Sequence, residues 1–224
     1  MKGEIRQTAL TLLLLSMASL VTEISLIRVF DVLFYPNISY MIITCSLFAY
    51  GLAGVYSVIK PISAAGDQRK EFGKLSLLLA VSVGAILPIV NLLPFDLNKL
   101  AAEPVRQLVY FGSVYLALAL PFFLTGLIFS AVFTAFPRQI QSLYFWDLVG
   151  AALGSALVIP LISFIGPGGL LFLSAGLSLI ASALFMNTKA WTLIVCAASL
   201  ALFIAPIAYA PRYFDFREHQ ANAG

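Results

Sequence analysis

Two carboxylates stand inside apolar sequence, and they are the side chains of this chain best suited to chemistry. Asp147 lies in the apolar run 142–160, and Glu23 lies in the run that begins at Thr8. A carboxylate in hydrocarbon is costly unless it faces a bundle interior and finds a donor, and such residues commonly mark ion or proton pathways. Both are therefore candidates for binding a proton or another cation. For Asp147 the alternative is a place near the lipid headgroups, because it lies close to the start of its run.

Arg28 is a third polar candidate, at the end of the same run as Glu23. On a helix, residues five apart lie on different faces, so we do not expect a bridge between Glu23 and Arg28. Arg28 and Asp31 have a spacing that allows pairing at the membrane interface.

Small residues follow Asp147 along one helical face. Gly150, Ala151, Gly154 and Ser155 share that face with the carboxylate. Where lipid removes the hydrophobic drive, small residues allow another helix backbone to approach closely. The segment therefore predicts a helix packed on a neighbour, with a polar anchor at one end. Further positions expected to shape helix packing are Gly51, Gly54, Gly126 and the kink-forming Pro121.

The composition indicates an integral membrane protein. The 224 residues are 61% hydrophobic and 10% charged, with a mean hydropathy of +1.00. Soluble chains average about 25% charged residues. The chain is free of charge from Leu148 to Thr188, much longer than the about 20 residues that one crossing needs. We therefore expect a turn at 166–169, where the sequence reads GPGG.

The predicted fold is an all-α, polytopic membrane helix bundle with about seven transmembrane helices. It occupies residues 1–210, and a polar C-terminal tail follows at 211–224. The expected crossings are approximately 8–27, 38–59, 75–95, 107–137, 143–165, 168–187 and 190–210.

Lys and Arg are more frequent in the loops that share a side with the N-terminus, which favours a cytoplasmic N-terminus. This orientation places Glu23 toward the outer end of the first helix and Asp147 toward the inner end of the fifth. A paired-carboxylate site is not expected, and each needs its own partner. The partners expected from neighbouring helices are Ser130 or Thr134 for Asp147, and Ser39 or Thr44 for Glu23.

The sequence lacks the motifs of metal, cofactor and catalytic sites that are common in soluble enzymes. The only histidine, His219, lies in the tail, and Cys45 and Cys196 are isolated in apolar runs. No metal site, cofactor or catalytic residue is therefore predicted. The net charge of +3 is too small and too dispersed for a nucleic-acid partner.

Four segments carry a family resemblance: TEISLIRVF, SLFAYGLAGVYS, PFFLTGLIFS and LYFWDLVGAALGSALVIPLISFIGPGG. They resemble the membrane domain of bacterial spermidine-synthase-like membrane proteins, also described as fused transporter/spermidine synthase proteins. The resemblance spans nearly the whole chain and is sharpest at Tyr144, Asp147, Gly150 and Gly154.

The resemblance implies a soluble Rossmann-like domain after the helices, similar to polyamine aminopropyltransferases. None of the residues that would bind its cosubstrate or diamine is present, so no catalytic role is transferred. The expected function is a membrane domain or subunit that anchors or feeds such an enzyme domain, with 211–224 as a possible start of it. The expected partners are that enzyme and the lipid bilayer, which the resemblance implies is a bacterial inner (plasma) membrane. The alternatives are a small-solute or polyamine (cation) transporter that uses Asp147 and Glu23, and a purely structural membrane subunit.

Overall fold

The computed structural model describes residues 2–33, 36–60, 68–92, 102–186 and Trp191. All regular elements within these ranges are helical, so the all-α prediction is confirmed for them. The long helices are α1 (Lys2–Leu33), α2 (Pro36–Ile59), α3 (Gln68–Leu92), α4 (Pro104–Ala135) and α5 (Ile140–Met186), and a 3-10 turn, Pro137–Gln139, leads into α5.

All five long helices among the described residues are long and apolar enough to cross a membrane. Helices are the expected form for such runs, because backbone groups in lipid must bond within their own segment. The first six predicted crossings fall on α1 to α4 and on two arms of α5. The seventh predicted crossing, 190–210, lies outside the described residues apart from Trp191, as does the tail 211–224. The number of about seven crossings therefore stays a prediction.

Helix α5 is two helices joined at Gly166. This residue has φ of 68° and ψ of 171°, which are not helical values. Only glycine adopts such a backbone readily. The predicted turn at 166–169 is therefore confirmed, and it divides α5 into a first arm (140–165) and a second arm (167–186).

The two arms pack on α1 in opposite directions. Gly150 and Gly154 of the first arm meet Leu13 and Met17, so the residue numbers rise together and the arm is parallel to α1. In the second arm, Ser174 donates to the carbonyl of Ala18, and Leu184 accepts from Gln7, so this arm is antiparallel. The two arms therefore form a helical hairpin, and α1 contacts both of them.

Helix α1 lies at the centre of the bundle. It packs against α5, α2 and α4, and α3 packs between α4 and α5. Leu12, Leu15 and Leu26 of α1 are completely buried. By contrast, α2 and the first arm of α5 expose large apolar side chains along their outer faces, among them Phe48, Leu52, Val55, Phe145, Leu148 and Ile159. An apolar outer surface of this extent is typical of a protein that interacts with lipid.

Candidate intramembrane polar site

A close helix contact positions Asp147. A Cβ added to Gly154 would stand 2.7 Å from the carbonyl oxygen of Met17, and one added to Gly150 would overlap the carbonyl of Leu13. Only glycine allows the two backbones to come this close. We call these contacts the glycine seam. It brings the first arm of α5, with Asp147 one turn before Gly150, onto the middle of α1.

Asp147 lies against Ser16 of α1. The Ser16 hydroxyl donates to the main-chain carbonyl of Asp147 at 2.8 Å and also interacts with its carboxylate. The side chain of Asp147 is half-buried, and Ser16 is buried. The predicted partners on α4 are wrong, because the neighbour is α1. The Thr134 hydroxyl instead donates to the carbonyl of Ser130 in its own helix.

Glu23 accepts a hydrogen bond from α2. The Ser46 hydroxyl lies 3.0 Å from Oε1 of Glu23, to which it can donate, and 2.9 Å from the carbonyl oxygen of Ile43 in its own helix. The sequence had indicated the right helix but other residues. The hydroxyl of Thr44 donates to the carbonyl of Met41 at 2.9 Å, and the side chain of Ser39 lies outside the described part of the chain.

A third contact lies between the two carboxylates. The Ser19 hydroxyl and the Tyr50 phenol oxygen are 2.5 Å apart, and Tyr50 is within electrostatic range of both carboxylates. Ser16, Ser19 and Glu23 share one face of α1, since they are spaced i, i+3 and i+7. From Ser16 to Glu23 is two helical turns, about 10 Å along the axis. These side chains form what we call the polar line: Asp147, Ser16, Ser19, Tyr50, Ser46 and Glu23.

Helix α4 holds Tyr50 in place. Phe122 packs edge-on against the Tyr50 ring, with centroids 6.0 Å apart. A Cβ at Gly126 would stand 2.8 Å from the Cβ of Ala53 and 3.2 Å from the Tyr50 ring. Gly126 thus allows α2 to pack closely on α4 beside the tyrosine. Pro121 is buried next to Phe122, and its carbonyl accepts from Thr125 at 2.9 Å.

The remaining predicted residues lie away from the polar line. Arg28 is exposed and its guanidinium is 4.0 Å from Asp31, the spacing expected for this pair. Gly51 and Gly54 are exposed, and no described atom lies within 4 Å of the place where their Cβ would stand. Neither glycine takes part in a close helix contact within the described residues.

A second group of hydroxyls joins α1 to the second arm of α5. Thr22 and Ser174 place their hydroxyl oxygens 2.5 Å apart, and Ser174 also lies 2.7 Å from the carbonyl of Ala18. With Ser19, Thr125 and Ser178, they line a cleft too narrow to admit water. This second group therefore acts as polar contacts between helices rather than as a ligand site.

The polar line could have been found in part from the sequence. Ser16 and Ser19 precede Glu23 at spacings of one helical face, which is a visible signal. Ser46 and Tyr50 have a similar i, i+4 spacing on α2. The pairing between these faces has no signal in a single sequence.

Among the described residues, no three His, Cys, Asp or Glu side chains gather as a metal site. Cys45 is buried and free, with its sulfur 3.6 Å from the carbonyl of Tyr115. The side chains of the polar line offer carboxylate and hydroxyl oxygens, which suit a proton, an alkali cation or an ammonium group. Comparison with protein-family models, curated proteins and solved structures gave no match.

Proposed function

We propose that this chain is an integral membrane protein whose polar line binds a cation, either a proton or a protonated amine, inside the helix bundle. The observation that carries the proposal is the position of the Ser19–Tyr50 hydroxyl pair along α1, between the contact of Ser16 with half-buried Asp147 and the half-buried Glu23. Hydroxyl groups can both donate and accept hydrogen bonds, so they can transfer a proton or present an oxygen lone pair to a cation.

The charge balance of the site supports this proposal. None of the ion pairs among the described side chains includes Glu23 or Asp147. Glu23 instead lies against the Ser46 hydroxyl, and the carboxylate of Asp147 lies beside the Ser16 hydroxyl. A carboxylate held in this way between apolar helices must bind a proton or attract a cation, because an isolated charge there is costly.

The distribution of basic residues supports an orientation with the N-terminus in the cytoplasm. Arg6 near the start of α1, Arg69 near the start of α3 and Arg138 before α5 lie at one end of the bundle. Lys60, Lys70 and Lys74 lie at that end too, whereas Arg28 and Arg106 lie at the other. Cytoplasmic loops of membrane proteins carry the excess of Lys and Arg.

Flux measurements in proteoliposomes test the cation proposal. We expect Asp147→Asn and Glu23→Gln each to reduce proton or putrescine flux by at least about tenfold, since each removes a charged oxygen group that the cation meets. Asp31→Asn is the matched control, because Asp31 is a carboxylate of α1 outside the polar line. Equal flux in the wild type and both polar-line variants would exclude the proposal.

The second candidate function is a membrane anchor that delivers a polyamine to an aminopropyltransferase-like enzyme domain or subunit. It is supported by the resemblance at Tyr144, Asp147, Gly150 and Gly154, and a polyamine is itself a cation. Reading the coding sequence after Gly224 and the neighbouring genes tests it. A Gly-rich Rossmann-type domain there would support the anchor, and its absence from both places would exclude it.

A further inference from the structure

A pocket lies between the beginning of α1 and the beginning of α5. Its volume is about 400 Å³, and it is lined by Ile5, Arg6, Ala9, Leu10, Ser142 and Trp146. It lies at the basic end of the bundle, where the apolar part of each of these two helices begins.

The lining is divided into a polar and an apolar part. Arg6 supplies a positive charge, Ser142 a hydroxyl and Trp146 an indole, whereas Ile5, Ala9 and Leu10 are apolar. Arg6 and Ser142 are exposed, and Trp146 is 38% exposed. None of the ion pairs among the described side chains uses Arg6. The pocket thus joins an available cation and neutral donors to an apolar wall.

From this arrangement we propose that the pocket binds the anionic headgroup of a membrane phospholipid, with the upper acyl chain against Leu10. Trp is the residue typical of the membrane interface, and basic pockets between helices on the cytoplasmic side suit phosphate headgroups. The guanidinium group of Arg can also donate two parallel hydrogen bonds to two oxygens of a phosphate. Arg138, in the turn before α5, adds a second positive charge near this end of the helix.

The proposal shares the membrane setting of the proposed function but does not depend on the polar line. Asp147→Asn is therefore expected to lose flux and keep lipid binding. Arg6→Gln is expected to keep flux and lose lipid binding. The two proposals can fail separately.

Native mass spectrometry of the delipidated, full-length protein tests the pocket, with added phosphatidylglycerol, phosphatidylcholine or inorganic phosphate. We expect phosphatidylglycerol to bind in preference to phosphatidylcholine, and Arg6→Gln to weaken it about fivefold. Arg28→Gln, at the other end of α1, is the matched control and should bind as the wild type does.

Two further variants distinguish a loss of lipid binding from misfolding. Ser142→Phe fills the pocket from an exposed position and should also reduce binding of phosphatidylglycerol, while Arg6→Lys keeps the charge and most of the binding. Equal binding of the two lipids would overturn the proposal. Inorganic phosphate that competes as well as the lipid would overturn it too, because the ligand would then be a soluble anion.

Discussion

The hydroxyl of Ser19 lies 2.5 Å from the phenol oxygen of Tyr50, and this contact joins α1 to α2 between two carboxylates. Tyr50 is half-buried, and Ser19 is buried. The pair therefore lies between Asp147 and Glu23. Among the described residues, the two carboxylates do not contact each other directly. If a cation or proton moves along the polar line, it passes this pair.

Removing the Tyr50 phenol should interrupt the polar line without disturbing the bundle. We expect Tyr50→Phe to reduce flux by about tenfold, because the ring stays packed on Phe122 while the hydroxyl is lost. The cost in unfolding free energy should be only about 1 kcal/mol, the usual value of one hydrogen bond. Flux in proteoliposomes and denaturation in detergent measure the two effects. Tyr56→Phe, also on α2 and packed on Phe123, is the control.

The glycine seam should be intolerant of any side chain. We expect Gly154→Ala to destabilise the protein by about 1–3 kcal/mol, because the new methyl group would force α1 and α5 apart. Gly150→Leu should prevent assembly. Unfolding in mixed detergent measures the loss. Gly51→Ala is the matched control, since its Cβ would enter open space. An equal loss at Gly51 would show that the seam has no special role.

The second hydroxyl group should contribute to stability and not to flux. We expect Ser174→Ala to lower the unfolding free energy by about 0.6–1.7 kcal/mol, since it removes contacts to Thr22 and to the carbonyl of Ala18. Ser113→Ala provides a comparison, because that exposed hydroxyl bonds only within its own helix, to Val109. A large loss of flux in Ser174→Ala at unchanged stability would place this hydroxyl on the cation path instead.

Cysteine labelling tests the orientation. With Cys196 replaced by Ser, the remaining Cys45 is buried and should not react with maleimide. A cysteine in place of Arg138 should react only after the inner membrane is permeabilised, and one in place of Glu103 should react in intact spheroplasts. The opposite pattern would reverse the proposed topology.

Much of the fold was predictable because apolar runs without charge have few solutions in lipid. The turn at Gly166 followed from a run too long for one crossing. The partners of Asp147 and Glu23 were not predictable, because they depend on which helices are neighbours. The expected depth of Asp147 suggested a partner on α4, but the close backbone approach at Gly150 places Asp147 on α1.

The position of α1 between the two arms of α5 has a consequence for biogenesis. The polar face of α1 is synthesised early, yet Asp147 follows its partner Ser16 by 131 residues, and Ser174 follows its partner Ala18 by 156 residues. Until the two arms of α5 are made, they cannot cover the hydroxyl face of α1. During that time only α2 or the insertion machinery can shield this face from lipid. The hairpin of α5 thus completes the packing of the first helix, and a ribosome stalled before this hairpin leaves an exposed polar surface for quality-control proteases.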